Sequence, residues 1–129
     1  MILDTGANVD CRPQHLLQFA RLGYAYAQVV FGKKDPKVGL LNIGAEKSKG
    51  NELTISAYKL LETSDLNFYG NIEGFDINSG LVDVVVCDGF VGNVLLKFGE
   101  SMFGFVTHSL RKNVSDSLLL KIGAYLLKP

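Results

Sequence analysis

Three short segments of the sequence place glycine among Asp, Asn or Lys directly after an apolar run. They are ILDTGAN from residue 2, LLNIGAEKSKGNE from residue 40 and VVVCDGFVGN from residue 84. Glycine allows a backbone to approach a ligand closely or to adopt a positive φ. A helix that begins in such a segment presents free N–H groups and the positive end of its dipole. The three segments therefore indicate an anion-binding site.

A structural interpretation of the same residues remains open. Gly and Asn are common in turns, and Asp at the end of a strand often caps the helix that follows. Neither GxGxxG nor GxxxxGK[ST] occurs, so the common dinucleotide motif and the P-loop are both absent from the sequence. No serine lies in a nucleophile-elbow pattern.

The elements that must position these segments follow from the apolar pattern. We predict strands at 1–4, 38–44, 66–72 and 82–87, and helices at 13–31, from 50 to about 63, and from 90 onward. Alternation of continuous apolar runs with helices is typical of a parallel sheet buried on both faces. In such a sheet the carboxyl ends of the strands share one edge, where ligands bind. We therefore expect Gly6, Gly44 and Gly89 along one edge.

Composition favours a single α/β domain over residues 1–129. The sequence is 47% hydrophobic and has 13 basic and 13 acidic side chains, a balance that argues against a nucleic-acid partner. Cys11 and Cys87 are too few for a disulfide framework, and Cys11 with His15 supplies only two possible metal ligands, so we expect no metal. No apolar segment is long enough to span a bilayer and no signal peptide is evident, so we expect a cytoplasmic protein.

The carboxy-terminal stretch carries a separate pattern. Residues 95–129 have five basic and two acidic side chains, whereas residues 1–94 have eight and eleven. Apolar residues recur at helical spacing, which predicts an amphipathic helical hairpin over 94–127 with its turn near Lys112-Asn113. A homodimer interface, contact with a membrane surface and packing on the chain's own domain are the three alternatives.

The sequence also resembles the PlsX family of fatty acid/phospholipid synthesis proteins. The resemblance lies in LDTGANVDCRP, VGLLNIGAEKSKGNELT, NFYGNIEGFDI and VDVVVCDGFVGNVLLK, which cover the chain in order. It corresponds to the middle-to-late part of the family sequence, without the DAMGGD-like segment before it or the GGAPLLG-like loop after it. The chain is thus expected to be a fragment.

This resemblance implies a three-layer α/β fold with helices on both faces, similar to phosphotransacetylases and isopropylmalate-type dehydrogenases. It implies transfer of an acyl group from acyl carrier protein to inorganic phosphate for phospholipid synthesis, without a cofactor. It also implies dimers and peripheral attachment at the inner face of the membrane. The expected catalytic residues are Lys49, Asn51, Asp88 and Asn93. The expected substrate- and phosphate-binding residues are Asp4, Gly6, Asn8, Gly44, Gly50, Asn71, Glu73, Gly89 and Gly92.

The residue types suit this chemistry. Lys49 and the helix-start amides can bind phosphate oxygens, the amides of Asn51, Asn71 and Asn93 can orient phosphate or stabilise an oxyanion, and Asp88 or Glu73 can hold a donor or manage a proton. Two alternatives stay open at this point. One is another enzyme on the same scaffold, a coenzyme A-dependent phosphotransacetylase or a dehydrogenase, and the other is a non-catalytic fragment.

Overall fold

The computed structural model describes residues 1–115. Its strands are β1 (Ile2–Leu3), β2 (Val38–Leu41), β3 (Phe68–Ile72) and β4 (Val84–Val86), and its helices are α1 (Pro13–Phe31), α2 (Glu52–Glu62) and α3 (Gly89–Ser115). A 3-10 helix, Gly74–Asn78, lies between β3 and β4.

The four strands form one parallel sheet in the order β1-β4-β2-β3. This confirms the predicted α/β class. The central strands β4 and β2 read VVV and VGLL and are buried along their whole length, as expected of strands covered on both faces. The predicted strand 38–44 ends earlier, at Leu41, because Asn42 turns its side chain back onto the following loop.

Helices α1 and α2 pack on the same face of the sheet. The core between them contains aliphatic side chains at helical spacing from the helices and at alternate positions from the strands: Leu16, Ala20, Ala27, Ala57, Leu61, Val38, Leu40, Val84 and Val86. Gly23 allows the close approach of α1 to β4, since a Cβ there would lie 2.5 Å from Cγ1 of Val84. Pro13 at the first turn and Gly32, with φ 65°, fix the two ends of α1.

The opposite face of the sheet carries the intervening strand positions. Val85 pairs with Gly39, and Ile72 pairs with Leu41. Because Gly39 has no side chain, those of Ile72 and Val82 lie against its backbone, within 3.1 Å of where a Cβ would be. The segment that leads from β3 to β4 therefore contributes to covering this face.

The chain divides into two compact units, Met1–Val94 and Leu95–Pro129. Helix α3 begins in the first unit and, in the described residues, continues through Lys112-Asn113 to Ser115, so the hairpin over 94–127 stays a prediction. Neither Gly nor Pro occurs at that point, and Asn is only a weak helix former rather than a breaker. The predicted second helix of the hairpin, after Ser115, lies outside the described residues.

Candidate functional site

The loop after β1 is organised by the carboxylate of Asp4. This carboxylate accepts hydrogen bonds from the backbone N–H groups of Gly6 (3.1 Å), Ala7 (3.1 Å) and Asn8 (2.7 Å) and from Nδ2 of Asn8 (2.9 Å). Asp4 is 7% exposed, whereas Gly6 and Asn8 are at the surface. Asp4 is therefore a structural residue of the 4–8 loop.

These contacts determine the charge state of Asp4. Burial raises the pKa of its carboxyl, but the hydrogen bonds from the Asn8 side chain and from three backbone N–H groups stabilise the charged form and hold the pKa below its ordinary value. The carboxylate is thus ionised at neutral pH and surrounded by donors.

The start of α3 packs directly on this loop. A Cβ at Gly92 would lie 1.8 Å from the Asp4 carbonyl oxygen, and one at Gly89 would lie 2.6 Å from the Asn8 carbonyl oxygen, so both positions require glycine. The Gly89 N–H donates to that Asn8 oxygen at 2.9 Å. Gly6 has a φ of 132°, and a Cβ there would lie 3.4 Å from Cβ of Asn93. The sheet edge thus brings the first and third segments together.

Asp88 and Asn51 cap the two helices that begin at this edge. Oδ1 of Asp88 accepts from the Val91 N–H at 2.8 Å, and Oδ1 of Asn51 accepts from the Thr54 N–H at 2.9 Å. The alternative interpretation of these residues, as helix caps, therefore holds for Oδ1 of Asp88 and for Oδ1 of Asn51. Asn93 lies one turn into α3 and is exposed.

The loop between β2 and α2 carries Lys49. Its backbone carbonyl accepts from Nδ2 of Asn42 at 3.0 Å, and its aliphatic stem lies against Gly44, where a Cβ would be 2.9 Å from Lys49 Cγ. Gly50 has a φ of 100°, which strongly favours glycine. Among the described residues the exposed Lys49 side chain makes no ion pair, whereas Lys47 in the same loop pairs with Glu62.

Asn71 lies near the end of β3 and Glu73 directly after it, at the same edge, and the Asn71 side chain is buried. Asn71 is 5% exposed and its Nδ2 donates to the Glu46 carbonyl at 2.9 Å. The backbone N–H of Glu73 donates to Asp76 at 2.9 Å, at the start of the 3-10 helix.

All three predicted edge glycines follow carboxyl ends of parallel strands. Gly6 comes after β1, Gly44 after β2 and Gly89 after β4, and these strands are neighbours in the sheet. This confirms the expected placement along one edge. An anion at this edge would meet the starts of α2 and α3.

A family model described as "Fatty acid synthesis protein" matches residues 1–129. The chain belongs to this family. It is 54% identical to a protein named phosphate acyltransferase from Pelotomaculum thermopropionicum, 54% to one from Clostridium acetobutylicum and 55% to one from Nostoc sp., in each case over its whole length. It covers 38%, 39% and 38% of those relatives. The family resemblance is thereby confirmed, as is the expectation that the chain corresponds to only part of a family sequence.

Two features of this family member were missed from the sequence. One is the pair of amides at Asn42 and Asn71 that hold the Lys49 loop; Asn42 lies in the second segment but its contact with Lys49 spans a loop. The other is an open pocket of about 280 Å³ between the starts of α1 and α2, lined by Cys11, Arg12, Pro13, Glu52, Leu53 and Ser56. Cys11, Pro13 and the predicted helix start at residue 50 lie in or beside that region, but the sequence did not indicate that they line one pocket.

The thiols of both cysteines have raised pKa values. Burial raises the pKa of Cys87 to about 12, and burial also raises the pKa of Cys11, whose thiol donates to the Asn8 carbonyl. Across residues 1–115, no three His, Cys, Asp or Glu side chains gather as metal ligands, and no helix is long and apolar enough to cross a membrane.

Proposed function

We propose that the complete protein containing this chain is a phosphate acyltransferase that uses acyl carrier protein as the acyl donor. A phosphate oxygen attacks the thioester carbonyl carbon, the C–S bond breaks, and the sulfur of the carrier leaves and takes up a proton. The products are acyl phosphate and free carrier protein, without a covalent enzyme intermediate and without a cofactor. The names of the relatives support the transfer of an acyl group to phosphate.

The observation that carries the proposal is that the Lys49 ammonium is exposed and makes no ion pair among the described residues. Most polar candidates at the sheet edge are engaged in structure: Asp4 holds its own loop, while Asp88 and Asn51 cap helices. Lys49 is exposed, unpaired among the described residues, and next to the start of α2. A lysine ammonium beside a helix N-terminus attracts an anion through both charge and dipole.

The roles divide by chemistry. Lys49 binds phosphate oxygens, and the free amide of Asn93 at the start of α3 orients phosphate or stabilises the oxyanion that forms on the thioester carbonyl. Gly89 and Gly92 let that helix start approach the 4–8 loop, and Gly44 and Gly50 shape the Lys49 loop. Asp4 and Asp88 act by holding backbone in place rather than by proton transfer.

A complete chimera tests the role of Lys49. In it, residues 1–129 of this chain replace the matching segment of the Clostridium acetobutylicum relative, so that the rest of the protein is present. Lys49→Ala is expected to lower kcat/KM for phosphate about 100-fold, the loss typical of one electrostatic donor. Lys47→Ala is the matched control: the side chain is in the same loop but pairs with Glu62, and we expect a change of less than about threefold.

Phosphate-dependent release of carrier protein from a long-chain acyl thioester is the measurement. Full activity in Lys49→Ala would contradict the proposed role. The same assay with acyl-coenzyme A of equal chain length compares the two donors, and faster turnover of acyl-coenzyme A would contradict the carrier-protein assignment.

The assembly and location of the protein are part of the proposal. The α3 residues Phe98, Met102 and Phe105 are exposed, and soluble monomers rarely leave such a group of apolar side chains in water. We infer a cytoplasmic homodimer with residues 94–127 at or beside the interface and with contact to the inner face of the membrane. Light scattering on the complete chimera is expected to give twice the protomer mass, and a monomer at micromolar concentration would contradict the dimer.

Anionic vesicles test the membrane contact. Lys97 and Arg111 lie on α3 among the exposed apolar residues, so binding to phosphatidylglycerol vesicles is expected to exceed binding to phosphatidylcholine vesicles. If the protein sediments with neither kind of vesicle, the proposed membrane contact is contradicted.

A further inference from the structure

The side chain of Asn71 is buried at the carboxyl end of β3. Asn71 pairs with Leu40 of β2, so it lies on the face that α1 and α2 cover. Nδ2 donates to the Glu46 carbonyl at 2.9 Å, but Oδ1 is inaccessible to solvent and has no hydrogen-bond partner within residues 1–115. Exchanging the two amide atoms would place oxygen against oxygen, so the contact with Glu46 fixes the orientation.

The Glu46 carbonyl is shared with Lys49. It accepts from the Lys49 N–H at 3.0 Å as well as from Asn71. The Lys49 carbonyl in turn accepts from Nδ2 of Asn42, which is the first residue after β2. Both peptide groups of Lys49 are therefore tied, through two asparagines, to the ends of adjacent strands.

The Asn71 amide has different effects on the position of the Lys49 loop and on the stability of the fold. A buried polar atom without a partner is unfavourable, so an apolar side chain of similar size at position 71 would remove that cost. The Glu46 carbonyl would keep its bond from Lys49. The amide at this position is therefore poorly explained by stability alone, whereas it is well placed to hold the Lys49 loop.

We propose that Asn71 is a positioning residue for Lys49: its amide holds the 42–50 loop through the Glu46 carbonyl and so fixes where the Lys49 ammonium meets phosphate. The inference rests on the proposed function for its catalytic consequence, but the hold on the loop is independent of that function. It also replaces the expectation that Asn71 itself binds substrate, because its side chain is buried.

Asn71→Leu in the complete chimera tests the proposal. We expect hydrogen exchange of the peptide containing the Lys49 amide to become about tenfold faster, as for a local opening that costs less free energy. The KM for phosphate should rise about tenfold, with the KM for the acyl donor within about twofold, since only the phosphate-binding group is displaced. The Tm should stay within about 3 °C of the parent or rise, because the unpartnered oxygen is removed.

Asn67→Leu is the matched control. Asn67 lies just before the amino end of the same strand, at the opposite end from Asn71, and its Nδ2 donates to the carbonyl and carboxylate of Asp35. Its removal should leave exchange of the 42–50 loop and the KM for phosphate unchanged. Asn71→Ala, which introduces no larger group, provides the same measurements if the leucine variant does not fold.

Each outcome is decisive. Unchanged exchange of the Lys49 peptide in both variants would overturn the positioning role, whatever the activity. Faster exchange together with a selective rise in the phosphate KM supports it. Faster exchange with full activity in both Asn71→Leu and Lys49→Ala would support the hold on the loop and overturn its consequence for catalysis, and it would identify the proposed function of Lys49 as the part that failed.

Discussion

Gly92→Ala is expected to disrupt the contact between the start of α3 and the 4–8 loop. The added Cβ would lie 1.8 Å from the Asp4 carbonyl oxygen and 2.8 Å from its carbonyl carbon. Because real Cβ contacts essentially never fall below 3.0 Å, the helix start and the loop must separate by more than 1 Å. The neighbouring atoms are backbone, so no side-chain rotation can relieve the clash.

The magnitude follows from two opposing effects. Forcing an extra carbon into a packed site costs about 1–3 kcal/mol, and here the displaced backbone also carries the hydrogen bonds that Asp4 makes. Alanine gains at most about 1 kcal/mol over glycine in a helix, and less in a first turn. We therefore expect Gly92→Ala to lower the free energy of unfolding by about 1–2 kcal/mol.

Gly99→Ala is the matched control in the same helix. Among the described residues, no atom outside the helix's own backbone lies within 4 Å of a Cβ at Gly99, so within the protomer the gain in helix propensity is the expected effect, and stability should rise by up to about 1 kcal/mol. Urea unfolding of the two variants and the parent chimera, with hydrogen exchange of residues 4–8 as a local probe, measures the difference. A Gly92→Ala variant as stable as the parent, with an unchanged exchange rate in that loop, would refute the reasoning.

Three further results are expected. Iodoacetamide at pH 8 should leave Cys87 unmodified in the folded protein and modify it after unfolding, because burial raises its pKa to about 12; rapid labelling of the folded protein would contradict this. The pKa of Asp4 is held below its ordinary value of 3.8, so its contribution to stability is present above pH 3.8 and is lost as the pH falls through the folded pKa. In urea unfolding, the free energy of unfolding of Asp4→Asn should therefore fall less steeply with acid than that of the parent. Equal slopes for the two proteins would argue against this role. Gly50→Ala should destabilise the Lys49 loop, since φ is 100° and a Cβ would lie 2.1 Å from Oγ1 of Thr54, and faster hydrogen exchange of residues 42–51 would show it; an unchanged rate would not fit this packing.

The sheet and the placement of the three glycine-containing segments along one edge were predictable because their signals are local. Continuous apolar runs such as VGLL and VVV identify buried strands, and helices between them impose parallel pairing. Once the strands are parallel, their carboxyl ends share an edge without any knowledge of side-chain contacts. The chemistry proposed for that edge comes from the family resemblance, because the strand pattern alone does not contain it.

The sequence did not show which side chains at this edge cap helices and which are available to bind a ligand. Asp, Asn and Gly both cap helices and bind ligands, and only the partner in three dimensions distinguishes the two uses. Asp88 and Asn51 were predicted as catalytic, and the structure uses an oxygen of each as a cap. The turn near Lys112-Asn113 was predicted because the apolar pattern restarts after Asn113, but in the described residues the helix continues through it to Ser115.

The capping role of the acids is what an anion site at this edge requires. Asp4 and Asp88 lie in the same segments as the candidate phosphate-binding groups, and an unshielded carboxylate there would repel phosphate. Asp4 is surrounded by four N–H donors, and Asp88 accepts from the Val91 N–H. Both carboxylates therefore bind backbone N–H groups of the loop and of the helix start, while the ammonium of Lys49 is exposed. We therefore propose that Asp4 and Asp88, which look catalytic in the sequence, support the anion site by organising the backbone around it.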